Sequence, residues 1–221
     1  MTDARRAERR LETIRSSYEW NSLSERELAP TWLEQFEGWL EAAVESGMTE
    51  PNAMVLATAA ADGAPGARTV LLRGVDARGF WFMTNYESRK GRELAANPRA
   101  TLVFPWYSQQ RQVIVDGDVE RLSAEESDAY FATRPRGARI SANVSPQSEA
   151  IESREWIEER WAEVEQAHAG SEEVPRPDTW GGYLVAPRAV EFWQGRPDRL
   201  HDRLRFRRTT DDAWIIERLA P

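Results

Sequence analysis

Alternating apolar and polar positions dominate the chain between residues 53 and 122, and this two-residue period is typical of half-buried strands. Turns containing Asp62-Gly63 and Arg78-Gly79 separate the first three strands, which favours an antiparallel meander. Five strands within about 70 residues imply a small barrel or a strongly curled sheet. The predicted strands cover residues 53–59, 67–73, 80–85, 100–106 and 112–122.

A helical period flanks these strands. Thr31 and Glu34 form a capping-box pattern in front of an amphipathic helix predicted over residues 32–46. Ser88 and Ser123 are the N-cap candidates of two shorter helices. The remaining predictions are a polar loop over 135–148, a helix over 153–168, a linker over 171–180 and closing strands over 183–185, 190–194, 204–208 and 214–219.

The domain organisation follows from this order of elements. Residues 1–30 combine a charged helical pattern over 3–18 with a polar connector, and we interpret them as an N-terminal arm that is only loosely attached to the core. Residues 31–221 are predicted to form a single domain, because neither an internal repeat nor a second domain is recognisable. The expected fold class is α+β, mainly β, with peripheral helices around antiparallel strands.

Composition restricts the possible chemistry. With 221 residues, 41% of them hydrophobic, the chain can bury one sizeable core. No stretch approaches the roughly 20 apolar residues of a membrane span, and the N-terminus carries no apolar signal region, so we expect a cytoplasmic protein without membrane partners. Zero cysteines and two histidines argue against disulfides, cysteine nucleophiles and metal sites. Redox chemistry would therefore require a bound organic cofactor.

The charges favour small anionic ligands. The formal net charge is -8, and the 29 basic residues comprise 28 arginines and one lysine, Lys90. A net negative charge disfavours nucleic acid, which needs a continuous basic face. Near the C-terminus, residues 191–208 nevertheless form a dense cationic run with His201 inside it. This run indicates either an anion site or a solvated edge strand with alternating arginines.

Three further patterns are compatible with ligand binding. Lys90 follows Arg89 where a strand leads into the N-terminus of a short helix, which favours a phosphate there unless both cations are merely solvated. Tyr130 and Arg134 lie one helical turn apart and can grip one anion, although a core tyrosine beside a surface cation has the same spacing. Gln112 either offers an amide to the edge of a planar cofactor or faces solvent.

Taken together, these segments resemble the pyridoxamine/pyridoxine 5'-phosphate oxidase family in order and spacing, from Arg15 to Pro221. The resemblance implies an FMN-binding split β-barrel and a homodimer that holds FMN at the subunit interface. It also implies oxidation of the C4' carbon of pyridoxamine or pyridoxine 5'-phosphate by dioxygen, with release of hydrogen peroxide. The motifs that carry it are 68–73, 85–91, 111–113, 130–136, 147–148, 180–183, 191–195, 199–203 and 217–221.

The family's roles, transferred to matching positions, imply two groups of residues beside the catalytic pair Arg199 and His201. The substrate group, in which Arg15 and Tyr18 match lid residues, is Arg15, Tyr18, Arg73, Tyr130, Arg134, Ala138, Arg199 and His201. The FMN group is Arg68, Thr69, Val70, Leu71, Leu72, Arg73, Met83, Thr84, Arg89, Lys90, Gln112, Gln147, Ser148, Trp193 and Arg203.

The chain departs from the family pattern at four places. Arg73 replaces the usual lysine, Ala138 replaces a small hydroxyl residue, Ser141-Ala142 replaces a Gly-Ala pair, and Asn143 stands at a commonly apolar position. Because Ala138 removes one phosphate contact, we expect weaker substrate binding without loss of flavin. Three alternatives remain: a non-catalytic protein that binds pyridoxal phosphate, against which Arg199 and His201 argue, a split-barrel reductase with a different flavin-like cofactor, and a nucleic-acid module.

Overall fold

The computed structural model describes residues 22–221, so the predicted helix over 3–18, with Arg15 and Tyr18, lies outside the described residues. Residues 22–221 contain five α-helices: α1 (Trp32–Glu45), α2 (Arg89–Ala96), α3 (Ala124–Ala132), α4 (Arg136–Val144) and α5 (Arg154–Ala167). The same residues contain nine strands: β1 (Ala53–Ala59), β2 (Pro65–Leu71), β3 (Gly74–Asp76), β4 (Gly79–Asn85), β5 (Arg99–Trp106), β6 (Arg111–Arg121), β7 (Trp180–Gln194), β8 (Asp202–Arg208) and β9 (Trp214–Arg218).

The strands pair antiparallel in one sheet that divides at β7. The order is β2-β1-β5-β6-β7-β4-β3, while β8 pairs with β7 and with β9. Along the side of β7 opposite β6, residues 180–185 pair with β4 and residues 189–194 pair with β8. One long strand thus has different neighbours at its two ends, which lets the sheet curl and split. The predicted α+β, mainly β class with peripheral helices is confirmed.

The length of β7 corrects the prediction of two separate closing strands over 183–185 and 190–194. Asp116 pairs with Ala189 and Gly117 with Pro187, so Arg188 is the extra residue of a β-bulge. A bulge accommodates a proline without ending the strand, because the missing N–H falls where the regular ladder is interrupted. The Pro187-Arg188 pair therefore marks an irregularity inside one 15-residue strand.

Two elements were missed by the sequence prediction. Part of the predicted polar loop over 135–148 is helix α4, whose Ile140 and Val144 are buried one turn apart against Val174. Pro135, Gly137 and Asn143 favour a loop locally, and packing against α5 decides the structure. The short strand β3 was also missed, and β2 ends at Leu71, before the predicted end at residue 73.

Helix α1 closes the core of the barrel with aromatic side chains. Thr31 caps the helix as predicted, its side chain accepting from the Glu34 N–H. Phe36 is fully buried, and its ring centroid lies 4.8 Å from that of Phe80 and 4.9 Å from that of Phe104. Such aromatic contacts contribute about 0.5–1.5 kcal/mol each beyond area burial, so α1 fixes the curvature of strands β4 and β5.

The described part of the predicted arm, residues 22–30, is the expected connector without regular secondary structure. It is nevertheless attached to the core, because Leu23 is 4% exposed and its N–H donates to Asp202 Oδ2 over 3.1 Å. A role of residues 1–30 as a lid remains a prediction. None of the five helices in the described range combines the length and apolar character that a bilayer crossing requires.

Candidate active site

A cleft of about 290 Å³ opens beside β2 and β4 and gathers most of the residues predicted to bind phosphates. β2 contributes one wall, β4 the floor, and α2 and the end of α3 contribute cations. Only Trp180 among the lining residues was given no role by the sequence. The lining residues are Arg68, Thr69, Val70, Leu71, Arg73, Met83, Thr84, Lys90, Tyr130, Arg134, Gln147 and Trp180.

Lys90 supplies a buried cation at one end of the cleft. Ser88 caps α2 as predicted, and Lys90 in the first turn is only 8% exposed. Its Nζ donates to neutral oxygens of Gln147 (2.7 Å), Thr84 (3.1 Å) and Ser88 (3.3 Å). Burial, aided by the positive charge of Arg68, lowers the pKa of Lys90 to about 8. Such a cation gains from an anionic ligand, and the N-terminus of α2 adds to the attraction.

Arg134 supplies a second cation, held by aromatic rings. Its guanidinium carbon lies 4.5 Å from the ring centroid of Trp180, whose ring is stacked with that of Tyr130 at 6.3 Å and 18°. Arg73 lies 6.0 Å above the Tyr130 ring. Within the part of the chain that the structure describes, the buried Nη1 of Arg134 has no hydrogen-bond partner. Burial is the main cause that lowers the pKa of Arg134.

A buried polar atom without a partner is costly, and a ligand anion would remove that cost. Arg73, Tyr130 and Arg134 thus provide two guanidinium groups and a phenol on one side of the cleft, as a phosphate site requires. Lys90 and Arg68 provide a second cationic region in the same cleft. The donor set therefore fits two phosphate esters, or one ligand with two anionic groups.

Arg68 and Arg89 meet at Glu93 on α2. Arg68 lines the cleft and forms an ion pair with Glu93 at 2.8 Å, while Arg89 pairs with the same carboxylate at 2.7 Å. Arg89 is largely exposed and does not line the cleft. For Arg89 to contact the cofactor as predicted, its guanidinium would have to turn towards the cleft.

A second group of predicted residues lies outside this cleft. Gln112 and Trp193 line a separate pocket of about 220 Å³. The ring of His201 lies 4.6 Å from that of Trp193, and its Nδ1 accepts from the Arg196 N–H over 3.1 Å. In a neutral imidazole, this bond assigns the proton to Nε2. Arg203 pairs with Glu191 at 2.7 Å.

Arg199 precedes His201 in a strained turn. Its φ of +62° and that of Asp198, +56°, are left-handed values that cost energy for residues with a Cβ. Strain of this kind concentrates at functional sites, which agrees with the predicted role of Arg199. Neither Arg199 nor His201 lines the cleft of its own chain.

Three predicted residues fall beside the cleft. Leu72 is 5% exposed and packs in the core behind the wall. Ser148 adopts a φ of +76° next to Gln147, and its side chain is exposed. Ala138 lies half-buried in α4 and does not line the cleft. The assignment of these residues to ligands remains a prediction.

Sequence reasoning missed the roles of Trp180 and Glu93. Trp180 was noted only within its Trp-Gly-Gly-Tyr motif, although the motif contains a signal. A Cβ at Gly181 would lie 2.1 Å from the Tyr86 hydroxyl, so the glycine is required for this close approach beside the cleft. For Glu93, the signal was its position four residues after Arg89 on one helix.

Comparisons with known proteins identify one family. The family model "Pyridoxamine 5'-phosphate oxidase" matches residues 40–168, and that of the "Pyridoxine 5'-phosphate oxidase C-terminal dimerisation region" matches residues 180–221. The chain is 53% identical to the pyridoxine/pyridoxamine 5'-phosphate oxidase of Salinibacter ruber over 213 residues, covering 96% of this chain and 99% of that protein. The corresponding protein of Cupriavidus necator is 54% identical over 211 residues, with coverage of 96% and 99%.

Solved structures share the fold. PhzG from Burkholderia lata, in complex with tetrahydrophenazine-1-carboxylic acid, has a TM-score of 0.85 and 30% identity, covering 93% of this chain and 100% of that chain. A pyridoxamine 5'-phosphate oxidase-related, FMN-binding protein from Nostoc punctiforme has a TM-score of 0.69 at 18% identity, covering 88% and 99%, and supports the fold alone. By both family matches and the extent of its identity to these relatives, the chain belongs to the pyridoxamine 5'-phosphate oxidase family of split-barrel flavoproteins.

Proposed function

We propose that this protein oxidises pyridoxamine 5'-phosphate or pyridoxine 5'-phosphate to pyridoxal 5'-phosphate, with FMN as cofactor and dioxygen as acceptor. Hydrogen peroxide is the second product, and the amine substrate also yields ammonia. The observation that carries the proposal is the cleft that combines the unpartnered Arg134 Nη1 with the buried Lys90. A flavin and a vitamer that both carry phosphates would satisfy both cations.

The residues present fit FMN. Lys90 and Arg68 would hold its phosphate, because they line the cleft on the side of helix α2 and Lys90 lies in the first turn of that helix. The backbone of residues 68–71, with Met83 and Thr84, would contact the remainder of the cofactor. When bound, FMN would supply the chemistry for removing a hydride from the C4' carbon and for reducing dioxygen to peroxide. The protein contributes binding, orientation and electrostatics.

The substrate's phosphate would be bound by Arg73, Tyr130 and Arg134. Charge-assisted hydrogen bonds contribute about 1.5–3 kcal/mol each, so two or three of them account for micromolar recognition of a small phosphate ester. Arg134 needs little reorganisation to bind, since Trp180 already fixes its guanidinium. The phosphate would thus anchor the vitamer and present its ring to the rest of the site.

Arg199 and His201 would orient the pyridine ring. The Arg196 N–H holds Nδ1 of His201, so in the neutral form Nε2 carries the ring proton. Both residues lie outside the cleft lining of their own chain, in the region that matches the dimerisation model. We therefore propose a homodimer in which each subunit contributes Arg199 and His201, together with Gln112 and Trp193, to its partner's cleft.

The test uses the purified full chain. We expect a yellow protein that releases FMN on denaturation, produces peroxide with either phosphorylated vitamer, and forms pyridoxal 5'-phosphate in equal amount. Unphosphorylated pyridoxine is the control and should react poorly. Flavin binding without turnover would support instead a non-catalytic carrier of pyridoxal phosphate, and absence of flavin binding would contradict the whole proposal.

A further inference from the structure

Glu93 is a nearly buried carboxylate that pairs with Arg68, one of the cations that line the cleft. It is 5% exposed on α2. Its Oε2 accepts from Thr58 Oγ1 (2.5 Å) and from Arg68 Nη2 (2.8 Å), and its Oε1 accepts from Arg89 Nε (2.7 Å). One carboxylate thereby fixes two arginines that lie 21 positions apart in the chain.

The charge of Glu93 is permanent at physiological pH. Burial raises the pKa of this carboxyl, but the hydrogen bonds from Thr58, Arg89 and Arg68 outweigh burial and hold the pKa at about 2. A carboxylate beside an anion site repels the anion. The presence of Glu93 there therefore needs a compensating benefit. A guanidinium group offers five N–H donors. Arg68 donates to Glu93 through Nη2 and to Thr58 and Leu56 through Nη1, which, among the described residues, leaves its Nε for a ligand.

Gly66 makes room for this cluster. A Cβ at Gly66 would lie 2.7 Å from Arg68 Nη2 and 2.8 Å from Glu93 Oε1. These are the mobile ends of side chains, so a methyl group there would displace the pair without moving the backbone. The cluster of Gly66, Thr58, Arg68, Arg89 and Glu93 thus connects β1, β2 and α2 at the point where a phosphate would bind.

We propose that Glu93 is a positioning residue for the cofactor phosphate: its ion pair holds the cleft-lining Arg68 in the orientation in which it receives the phosphate, while Arg89 supports the carboxylate from the other side. The inference deepens the proposed function and rests on its placement of FMN. Long arginine side chains lose much rotational freedom on binding, and a partner that orders them beforehand removes that cost from the binding step. The benefit in ordering then exceeds the repulsion between Glu93 and the phosphate.

The experiment compares FMN with riboflavin, which has the same ring system but no phosphate. Dissociation constants of apoprotein are measured by quenching of flavin fluorescence. We expect Glu93→Ala to weaken FMN binding about 10- to 100-fold while riboflavin binding stays within about threefold, because only the phosphate depends on the ordered arginines. At saturating FMN, the KM for the vitamer should be unchanged.

Two further variants separate positioning from folding and from charge. Glu93→Gln keeps an acceptor for Thr58 and Arg68 and should bind FMN more tightly than Glu93→Ala. Gly66→Ala keeps the Glu93 carboxylate in the sequence but displaces it and Arg68. It should therefore weaken FMN binding with little change in the melting temperature of the apoprotein. Glu87→Gln is the matched control, since it removes an exposed carboxylate just before the N-cap of α2 and should leave FMN binding as in wild type.

Equal or tighter FMN binding by Glu93→Ala would overturn the proposal, because Glu93 would then act only as a repulsive charge. Equal weakening of FMN and riboflavin would also overturn it, because the effect would be structural. A wild-type protein that binds no FMN would refute the proposed function itself. Tight FMN binding by wild type with no change in the variants would refute only the role of Glu93.

Discussion

The guanidinium of Arg134 rests 4.5 Å from the centre of the Trp180 ring, and an aromatic face thus holds a cation that lines the cleft. A carboxylate in this position would neutralise the guanidinium, whereas an indole orients it and leaves its charge available. The ring of Tyr130 is stacked with that of Trp180, so Trp180 supports this residue as well. Because Trp180 contacts both Arg134 and Tyr130, these two residues are already oriented before a substrate phosphate binds.

Replacement of Trp180 by leucine should raise the KM for both phosphorylated vitamers. Cation–π contacts contribute about 0.5–2 kcal/mol, so we expect an increase of about 3- to 30-fold, with kcat reduced less than KM is raised. Steady-state kinetics at saturating FMN measure both constants. Trp156→Leu is the matched control, because Trp156 contacts Arg160 at 4.9 Å on α5, outside the cleft. An unchanged KM in a folded Trp180→Leu protein would contradict the assignment.

Removal of the Arg134 side chain should separate stability from function. Arg134→Ala deletes a charge-assisted contact to phosphate, which predicts a KM about 10- to 150-fold higher. It also deletes a half-buried cation whose buried Nη1 has no partner among the described residues, so the melting temperature of the apoprotein should stay constant or rise. Arg160→Ala provides the surface control. A strongly destabilised Arg134→Ala protein with normal KM would show that Arg134 has a structural role.

FMN binding should weaken as the pH rises through the pKa of Lys90, about 8 in the ligand-free protein. Below this value Lys90 is cationic and attracts the phosphate. Above it, the apoprotein must take up a proton on binding, so the affinity falls by up to about tenfold per pH unit. Fluorescence titrations between pH 7 and 9.5 measure the slope. Lys90→Arg stays charged and should show a flat profile, and a sloping one would implicate another group.

The same pKa affects folding with the opposite sign. Because Lys90 titrates below its ordinary value of 10.5, the unfolded chain binds more protons than the folded apoprotein between about pH 8 and 10.5. The contribution of Lys90 therefore makes the apoprotein more stable as the pH rises across this window. Chemical denaturation of wild type and Lys90→Met, compared at both ends of the window, isolates this contribution, which should be lost in the variant.

Restoring the family pattern at two departures should strengthen substrate binding. Ala138→Ser adds a hydroxyl near the start of α4, and Arg73→Lys replaces a bidentate group by a compact charge, so the double variant should have a lower KM. The gain of one hydrogen bond predicts a change of about 2- to 12-fold. Measurement with pyridoxine 5'-phosphate decides the matter, and Ser141→Gly serves as a control at a third departure. An unchanged KM would show that these departures are neutral.

Subunit complementation tests the shared site. Arg134→Ala and His201→Ala are expected to inactivate different parts of the site, which would come from different subunits. Random reassembly of the two variants gives half heterodimers with one intact site in two, so about a quarter of wild-type activity should return. The assay uses a vitamer concentration near the wild-type KM, at which self-mixed Arg134→Ala is the control and should keep only its own low activity. Lack of recovery, with heterodimers verified by mass, would place both residues in one subunit's site.

Local chemistry made several features of the site predictable. The Ser88 cap, the adjacent Lys90 and the apolar β2 strand are encoded within a few neighbouring residues. Their pattern predicts a phosphate site at a helix N-terminus, and in the fold Lys90 lines the cleft. The pairing of Arg134 with Trp180 was not predictable, because these residues are 46 positions apart and their contact depends on how α3 packs against β7.

The sequence by itself determined the antiparallel strands, the capped helices α1 to α3 and the family, since hydrophobic period, capping residues and motif order are local properties. Tertiary structure alone decided that β7 continues through Pro187, that α4 forms, and that Glu93 joins Arg68 to Arg89. Each of these results depends on long-range pairing or burial, which compensates a locally unfavourable residue or charge. Only the folded chain shows that the predicted ligand-binding residues are divided between the cleft and the separate pocket lined by Gln112 and Trp193.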